Sequence, residues 1–212
     1  MYVKNRMTKN PYTIAADAPI TDAVALLREK GLKRLPVVDG EKVVGILTQS
    51  DIQKVSPTKA TSLSIFEINY LLSKLTVKDA MTKKAITIEA DSLLEEAAVI
   101  MRENRIGTLP VIVDGKLAGI ITESDIFDAF IDLLGFKDSG SRITVEAKDV
   151  PGAMAAIAEI FKSYGVNITH IAVYSGKGIR DVVIRSTTSD TSEIEKKLNE
   201  QGYKVKHVLK NE

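Results

Sequence analysis

No cysteine and no tryptophan occur among the 212 residues, and aromatic residues make up only 5% of them. Without a thiol there is no disulfide, no thiolate nucleophile and no cysteine-based zinc site, so redox function is excluded and an intracellular setting is expected. A surplus of either charge is also missing, since 29 Lys and Arg stand against 28 Asp and Glu for a net +1. Electrostatics therefore offers no general reason to expect nucleic acid or an anionic membrane as a partner. No segment approaches the roughly 18 continuous apolar residues of a membrane span, and the opening "MYVKNRMTKNPYT" has no apolar run of signal-peptide length. The expected location is the cytoplasm. Catalytic groupings are absent as well: His170 and His207 stand without a neighbouring Ser and without His-Glu-x-x-His spacing, so both read as structural or surface residues.

What the chain does have is a repetition. Laid against itself at an offset of 74 residues (77 − 3 and 125 − 51), it matches without a gap. Val3-Lys4 falls on Val77-Lys78, Met7-Thr8-Lys9 on Met81-Thr82-Lys83, and Leu35-Pro36-Val37 on Leu109-Pro110-Val111. The phrase "GILTQSD" at 45–51 returns as "GIITESD" at 119–125. In each copy Ala23, Leu26 and Leu27, or Ala97, Ile100 and Met101, form a helical apolar stripe. Pro19 suits the first helical turn in copy one, where Gly31 can end the helix; Ser92 and Glu95 have capping-box spacing in copy two. Two apolar strands follow about a turn at Asp39-Gly40 or Asp114-Gly115, then Thr-x-Ser-Asp opens a second helix. The unit reads strand, helix, strand, strand, helix. One such unit of roughly 55 residues buries too little alone, whereas two can pack together.

Between the copies, "SPTKATSLSIFEINYLLSKLT" reads as a linker helix with an apolar face. The helix "DIFDAFIDLLG" carries more apolar breadth than one buried stripe needs, which fits either a subunit contact or burial under a neighbouring element. After Gly135 the texture changes, and "FKDSGS" leads into a segment with no further copy of the repeat. There the order is strand, helix, two strands joined by a hairpin turn at Gly176-Lys177-Gly178, helix, strand. That βαββαβ order is the one of a ferredoxin-like sandwich.

The twice-stated Leu-Pro-Val … Gly-Ile-x-Thr-x-Ser-Asp phrase, with its Met-Thr and Thr-Ile entry, resembles a tandem pair of CBS domains. The tail, "DVPGAMAAIAEIFKSYGVNITHI", resembles an ACT domain through Asp-x-Pro-Gly and Gly-x-Asn-Ile. Together with the linker phrase, the arrangement is similar to the acetoin-utilisation B protein family. The expected fold class is α/β (α+β), with two CBS units packed as a pseudo-two-fold pair and followed by a ferredoxin-like ACT domain. The expected boundaries are 1–58 and 77–135 for the CBS repeats, 59–76 for the linker helix, 136–141 for a short linker, and 142–212 for the ACT domain.

The resemblance implies an adenine nucleotide or S-adenosylmethionine as a regulatory ligand, with no cofactor required. Asp51 and Asp125 would accept hydrogen bonds from ribose hydroxyls and Thr48 and Thr122 would face phosphate, with Ser50, Ser124, Pro36 and Pro110 beside them and Thr13, Ile14, Thr87 and Ile88 at the entries. An ionised carboxylate suits two vicinal hydroxyls because such bonds are charge-assisted; the competing reading is that Thr48, Ser50 and Asp51 only cap a helix. The copies differ at Lys33-Arg34, which become Gly107-Thr108, with Arg105 slightly earlier in copy two. The Asp51 site is therefore expected to hold phosphate more tightly, since Arg34 offers a planar fork and Thr108 does not; a solvated surface pair is the alternative for Lys33 and Arg34. In the ACT segment the resemblance implies an amino-acid effector at Asp149, Gly152, Asn167 and Ile168, against a purely architectural role for the same residues.

The functional expectation is a non-catalytic regulatory protein, homodimeric through the ACT domain, acting on a protein partner and set in acetoin or acetyl-CoA metabolism. The alternatives are an assembly scaffold with empty sites and a nucleotide-processing enzyme.

Overall fold

In a computed structural model the described residues are 1–55, 70, 74–174 and 178–211. Most of the expected linker helix and the centre of the Gly176-Lys177-Gly178 turn lie outside them. The chain divides into two units, Met1–Phe127 and Asp128–Glu212.

The first unit holds the two repeats. Copy one supplies β1 (Thr8–Lys9), β2 (Ile14–Ala15), α1 (Ile20–Glu29), β3 (Arg34–Asp39), β4 (Lys42–Thr48) and α2 (Gln49–Val55). Copy two supplies α3 (Val77–Ala80), β5 (Thr82–Lys83), β6 (Ile88–Glu89), α4 (Leu94–Asn104), β7 (Thr108–Val113), β8 (Lys116–Thr122) and α5 (Glu123–Leu133), the last running on into the second unit. Gly31 ends α1 in the left-handed conformation with φ +63°, as its lack of a Cβ allows. The cap of α4 falls one residue later than the Ser92–Glu95 spacing suggests: the Glu96 carboxylate accepts from the Leu93 amide at 3.0 Å. Ser92 is drawn off because its carbonyl accepts the Val3 amide at 2.9 Å, which ties the N-terminal segment to copy two.

That tie is one half of an exchange. The two sheets run β2-β3-β4-β5 and β1-β8-β7-β6, so each copy's entry strand joins the sheet of the other copy. Val77 is fully buried in the core of copy one with Ile20, Ala23, Leu27, Leu35, Val37 and Leu47. Val3, its counterpart at the 74-residue offset, makes the symmetric insertion: its amide bonds to the Ser92 carbonyl as that of Val77 bonds to Ala18, and its side chain is likewise fully buried. Burying one such side chain contributes roughly 1.5–3 kcal/mol, so each copy depends on the other for part of its core. Glycine makes the approach possible. A Cβ on Gly45 would stand 2.6 Å from Met81 Sδ and 2.8 Å from the Thr82 carbonyl oxygen, and one on Gly119 would stand 2.6 Å from Met7 Sδ and 2.9 Å from the Thr8 oxygen. Arg34 and Thr108 are the same position of the two copies and are hydrogen-bonded to each other, Nη1 to Oγ1, so the pseudo-two-fold axis passes between them.

The second unit is the βαββαβ sandwich. Strands β9 (Gly140–Lys148), β10 (Ile168–Tyr174), β11 (Ile179–Ser186) and β12 (Lys204–Asn211) form one antiparallel sheet in the order β10-β11-β9-β12. Helices α6 (Ala153–Ser163) and α7 (Ser192–Glu200) cover one face, where Ile157, Ile160, Phe161, Ile194 and Leu198 pack on Ile143, Val145, Val182 and Ile184. Alternation along β9 and β11 sends the intervening residues, Arg142, Thr144, Val183 and Arg185, to the opposite face.

Candidate functional site

Asp51 sits at the start of α2 and is only 7% exposed. Its Oδ2 accepts from the Thr48 amide at 3.1 Å and the Thr48 hydroxyl at 2.7 Å, and Lys54, one turn on, donates to Oδ1 at 3.0 Å. Burial pushes this carboxyl up, but the bonds from the Thr48 hydroxyl, Lys54 and the Thr48 amide outweigh it and hold the group below the ordinary aspartate range. The Thr48 hydroxyl proton is given to Asp51, so Thr48 positions the carboxylate and has no proton left for a phosphate. Asp125 is held the same way, with Oδ2 at 2.7 Å from the Thr122 amide and 2.8 Å from its hydroxyl.

Around Asp51 lies a cleft of about 660 Å³, within the ordinary size range of small-molecule sites. Its lining includes Lys33, Arg34, Thr48, Ser50, Asp51 and Pro110 from the expected set. Pro36 is buried on β3, and Thr13 and Ile14 are half-buried at β2, outside this lining. Thr87 and Ile88 lie just beyond the stretch Thr82, Lys84, Ala85 and Ile86 that does line it. Thr122 and Asp125 are half-buried and Ser124 exposed at the equivalent helix start of copy two.

Three further cations reach the cleft that local reading did not place there: Lys54, Lys84 and Arg105. Lys84 and Arg105 belong to copy two: Lys84 follows the exchanged entry strand β5, and Arg105 lines the cleft with Gly107 and Thr108 where the two copies meet at Arg34. With Lys33 and Arg34 they make five basic side chains beside one aspartate. At the 74-residue offset their counterparts are Gly107, Thr108, Asp128, Asn10 and Gly31, none of them basic. The two positions are thus electrostatically unequal by more than the Arg34–Thr108 difference alone suggests.

Arg105 holds its place at a cost. It caps α4 with φ +54°, in the left-handed region where its counterpart Gly31 is unstrained. Replacing Arg105 with Gly is expected to stabilise the fold by about 1 kcal/mol while weakening anion binding in the cleft. Thermal melting paired with a nucleotide titration checks both signs, and a loss of stability would remove the strain argument.

In the second unit, a cleft of about 310 Å³ takes in Asp149 and Gly152 with Arg180, which pairs with Asp149 at 2.5 Å. Nothing lies within 4 Å of a Cβ built on Gly152, so a ligand has room at that backbone. Asn167 and Ile168, at the start of β10, stand outside this lining; the Asn167 carbonyl accepts the Thr187 amide at 3.1 Å. Among the described residues no cluster of His, Asp and Glu has metal-site geometry, and no helix is long and apolar enough to cross a membrane.

Comparison with known proteins agrees with this architecture. Residues 3–57 and 77–132 match the CBS domain, and 141–202 match the ACT domain. The chain is 28% identical, with a TM-score of 0.54, to the Vibrio cholerae protein assigned to acetoin utilization (AcuB), over 65% of this chain and 95% of that one. It is similar to CBSX2 in complex with AMP at 30% identity and a TM-score of 0.52, over 62% of this chain and 96% of the other. It is similar also to the CBS domain pair of MJ0100 in complex with 5-methylthioadenosine and S-adenosyl-L-methionine, at 30% identity and a TM-score of 0.51, over 61% and 99%. The inosine-5'-monophosphate dehydrogenase of Korarchaeum cryptofilum is 29% identical over 79% of this chain, which spans only 32% of that relative's length. The chain belongs to the CBS domain family, as a tandem CBS pair followed by a C-terminal ACT domain.

Proposed function

We propose that this protein is a non-catalytic sensor of adenosine nucleotides, with the Asp51 cleft as its phosphate-binding site. The observation that carries the reading is the gathering of Lys33, Arg34, Lys54, Lys84 and Arg105 around a carboxylate already oriented by Thr48. Asp51 accepts the ribose hydroxyls, and the cations take up phosphate charge, Arg34 and Arg105 in a bidentate manner. Nucleotide di- and triphosphates are favoured over AMP, and AMP over cationic S-adenosylmethionine. The relatives that hold AMP or S-adenosyl-L-methionine support an adenosine ligand. The position built on Asp125 lacks the five cations and takes the less charged ligand.

The ACT domain contributes dimerisation and a second effector at Asp149 and Gly152, and the setting is acetoin or acetyl-CoA metabolism in the cytoplasm; the similarity to AcuB supports the acetoin setting. Dimerisation draws support from Phe127, Phe130 and Leu133 of α5, which are 66%, 57% and 64% exposed. Signalling then requires only that a ligand prefer one arrangement of the protein over another.

Calorimetric titration with ATP, ADP, AMP and S-adenosylmethionine tests the reading. The expected order of affinity at one site follows the phosphate count. Absence of binding by all four would leave the scaffold reading in place, and turnover of ATP would make the protein an enzyme.

A further inference from the structure

The second unit has helices on one face of its sheet, and on the other the turn after α5 closes over a cavity of about 260 Å³. The floor of that cavity is a row of basic side chains on neighbouring strands. His170 on β10 pairs directly across from Arg185 on β11, and Arg185 directly across from Arg142 on β9. Arg142 and Arg185 are like charges placed opposite one another on a sheet; such pairs repel, and the repulsion grows as water is removed. Arg185 is only 6% exposed, and among the described residues no carboxylate lies within ion-pair distance of its guanidinium. Its guanidinium stands over the ring of Phe136, 5.8 Å from the centroid. An aromatic face attracts a guanidinium without neutralising it. Burial and the neighbouring Arg142 both disfavour the charged form of Arg185, and the more distant Asp138 partly offsets them.

Asp138 lies 3.4 Å from His170 Nδ1, close enough for ion pairing but not aligned for a hydrogen bond, and it is half exposed at the rim. Arg142 donates to the Thr144 hydroxyl at 3.0 Å, leaving the rest of its fork toward the cavity it lines. The remaining wall is hydrocarbon, from Phe130, Leu134, Phe136 and Val183 among others. Gly135 makes this closure possible: with φ +60°, it carries the chain over His170 at a distance where any Cβ would stand 2.3 Å from Nδ1.

We propose that this cavity binds a small organic carboxylate with an apolar body, its carboxylate bridging Arg185 and Arg142. A buried cation without a counter-charge is destabilising, and a carboxylate between two guanidinium forks satisfies both at once. The hydrocarbon wall selects the rest of the molecule, and the volume limits it to something smaller than ordinary drug-sized ligands. A bare phosphate leaves the apolar wall unused, and a free ammonium on the ligand is repelled by the row. This site is separate from the Asp51 cleft and from the Asp149 cleft, and it does not depend on either being occupied.

Thermal unfolding of the full chain with phenylacetate and 4-methylpentanoate, and with phenylacetamide, 4-methylpentanamide and inorganic phosphate as comparisons, tests the proposal. At a hundred times its Kd, a binding acid is expected to raise Tm by about 5 °C or more. The amides and phosphate are expected to do nothing. Arg185→Met should abolish the shift, and Asp51→Ala should leave it unchanged. Should Arg185→Met fail to fold, as judged by circular dichroism, the half-exposed Arg142→Gln carries the same test. The proposal is overturned if the amides match the acids, if phosphate alone matches them, if neither acid shifts Tm, or if the shift survives Arg185→Met and Arg142→Gln. It is overturned equally if the acids are inert while Arg185→Met shifts the monomer–dimer equilibrium in sedimentation, which would assign the row to a carboxylate of a second copy.

Discussion

Asp51→Asn is expected to weaken ATP or ADP binding about a hundredfold, a loss of about 3 kcal/mol from one pair of charge-assisted hydrogen bonds. Asparagine keeps the shape and can still accept from Thr48, so the cleft should remain folded; what disappears is the negative charge that ribose hydroxyls prefer as acceptor. Asp125→Asn should cost the same ligands far less, because none of the five cations of the Asp51 cleft has a basic counterpart at the 74-residue offset. Isothermal titration of the two variants decides the matter, and a greater loss from Asp125→Asn would reverse the assignment of the sites. The pH dependence has a definite sign. In the folded protein the Asp51 carboxyl is held below its ordinary aspartate value. The stability it contributes is therefore fully present above the unfolded value and is lost only as pH falls through the folded one. Between pH 5 and 8, Asp51 itself should add no slope to either stability or binding.

Gly45→Val is expected to destabilise the first unit by about 2–3 kcal/mol, and Gly119→Val by a similar amount, as overpacking against an unyielding neighbour does. Neither glycine has a positive φ, so the backbone accepts a side chain; the objection is purely steric. A Cβ at Gly45 meets both a movable atom, Met81 Sδ at 2.6 Å, and an immovable one, the Thr82 carbonyl oxygen at 2.8 Å. Shortening the movable neighbour should thus rescue only in part: Gly45→Ala with Met81→Ala should recover some of the loss of Gly45→Ala alone. Denaturant melts of the single and double variants measure the coupling. A Gly45→Val protein as stable as the parent would mean that the exchanged entry strand is not held as described.

Much of this was legible beforehand because it is written in local pattern. The ungapped 74-residue offset disclosed the pair, the Thr-x-Ser-Asp phrases disclosed where each helix would start, and the βαββαβ order of the tail disclosed the sandwich. The capping of α4 was misplaced by one residue, since spacing alone does not reveal that the Ser92 carbonyl is taken by the Val3 amide. Lys54, Lys84 and Arg105 were missed as cleft residues. One signal was available for Lys54, which stands one helical turn after Asp51 and so faces it. No local signal existed for Lys84 and Arg105, which come from the other copy.

By itself the amino-acid sequence determined the elements, their repetition and the placing of two aspartates at helix starts, because helix and strand periodicity, turn glycines and hydroxyl-carboxylate phrases act over a few residues. Only the tertiary structure decided which sheet the two-residue strands β1 and β5 join, since so short a strand carries no pattern that names its partner. That exchange brings Lys84 beside Asp51, while the meeting of the copies at Arg34 and Thr108 brings Arg105. The closing of Gly135 over His170 likewise makes a cavity above a basic row that the sequence scatters over residues 142, 170 and 185. Charge clusters of this kind depend on strand pairing at long range, where Coulomb energy depends on distance in space and not on separation along the chain.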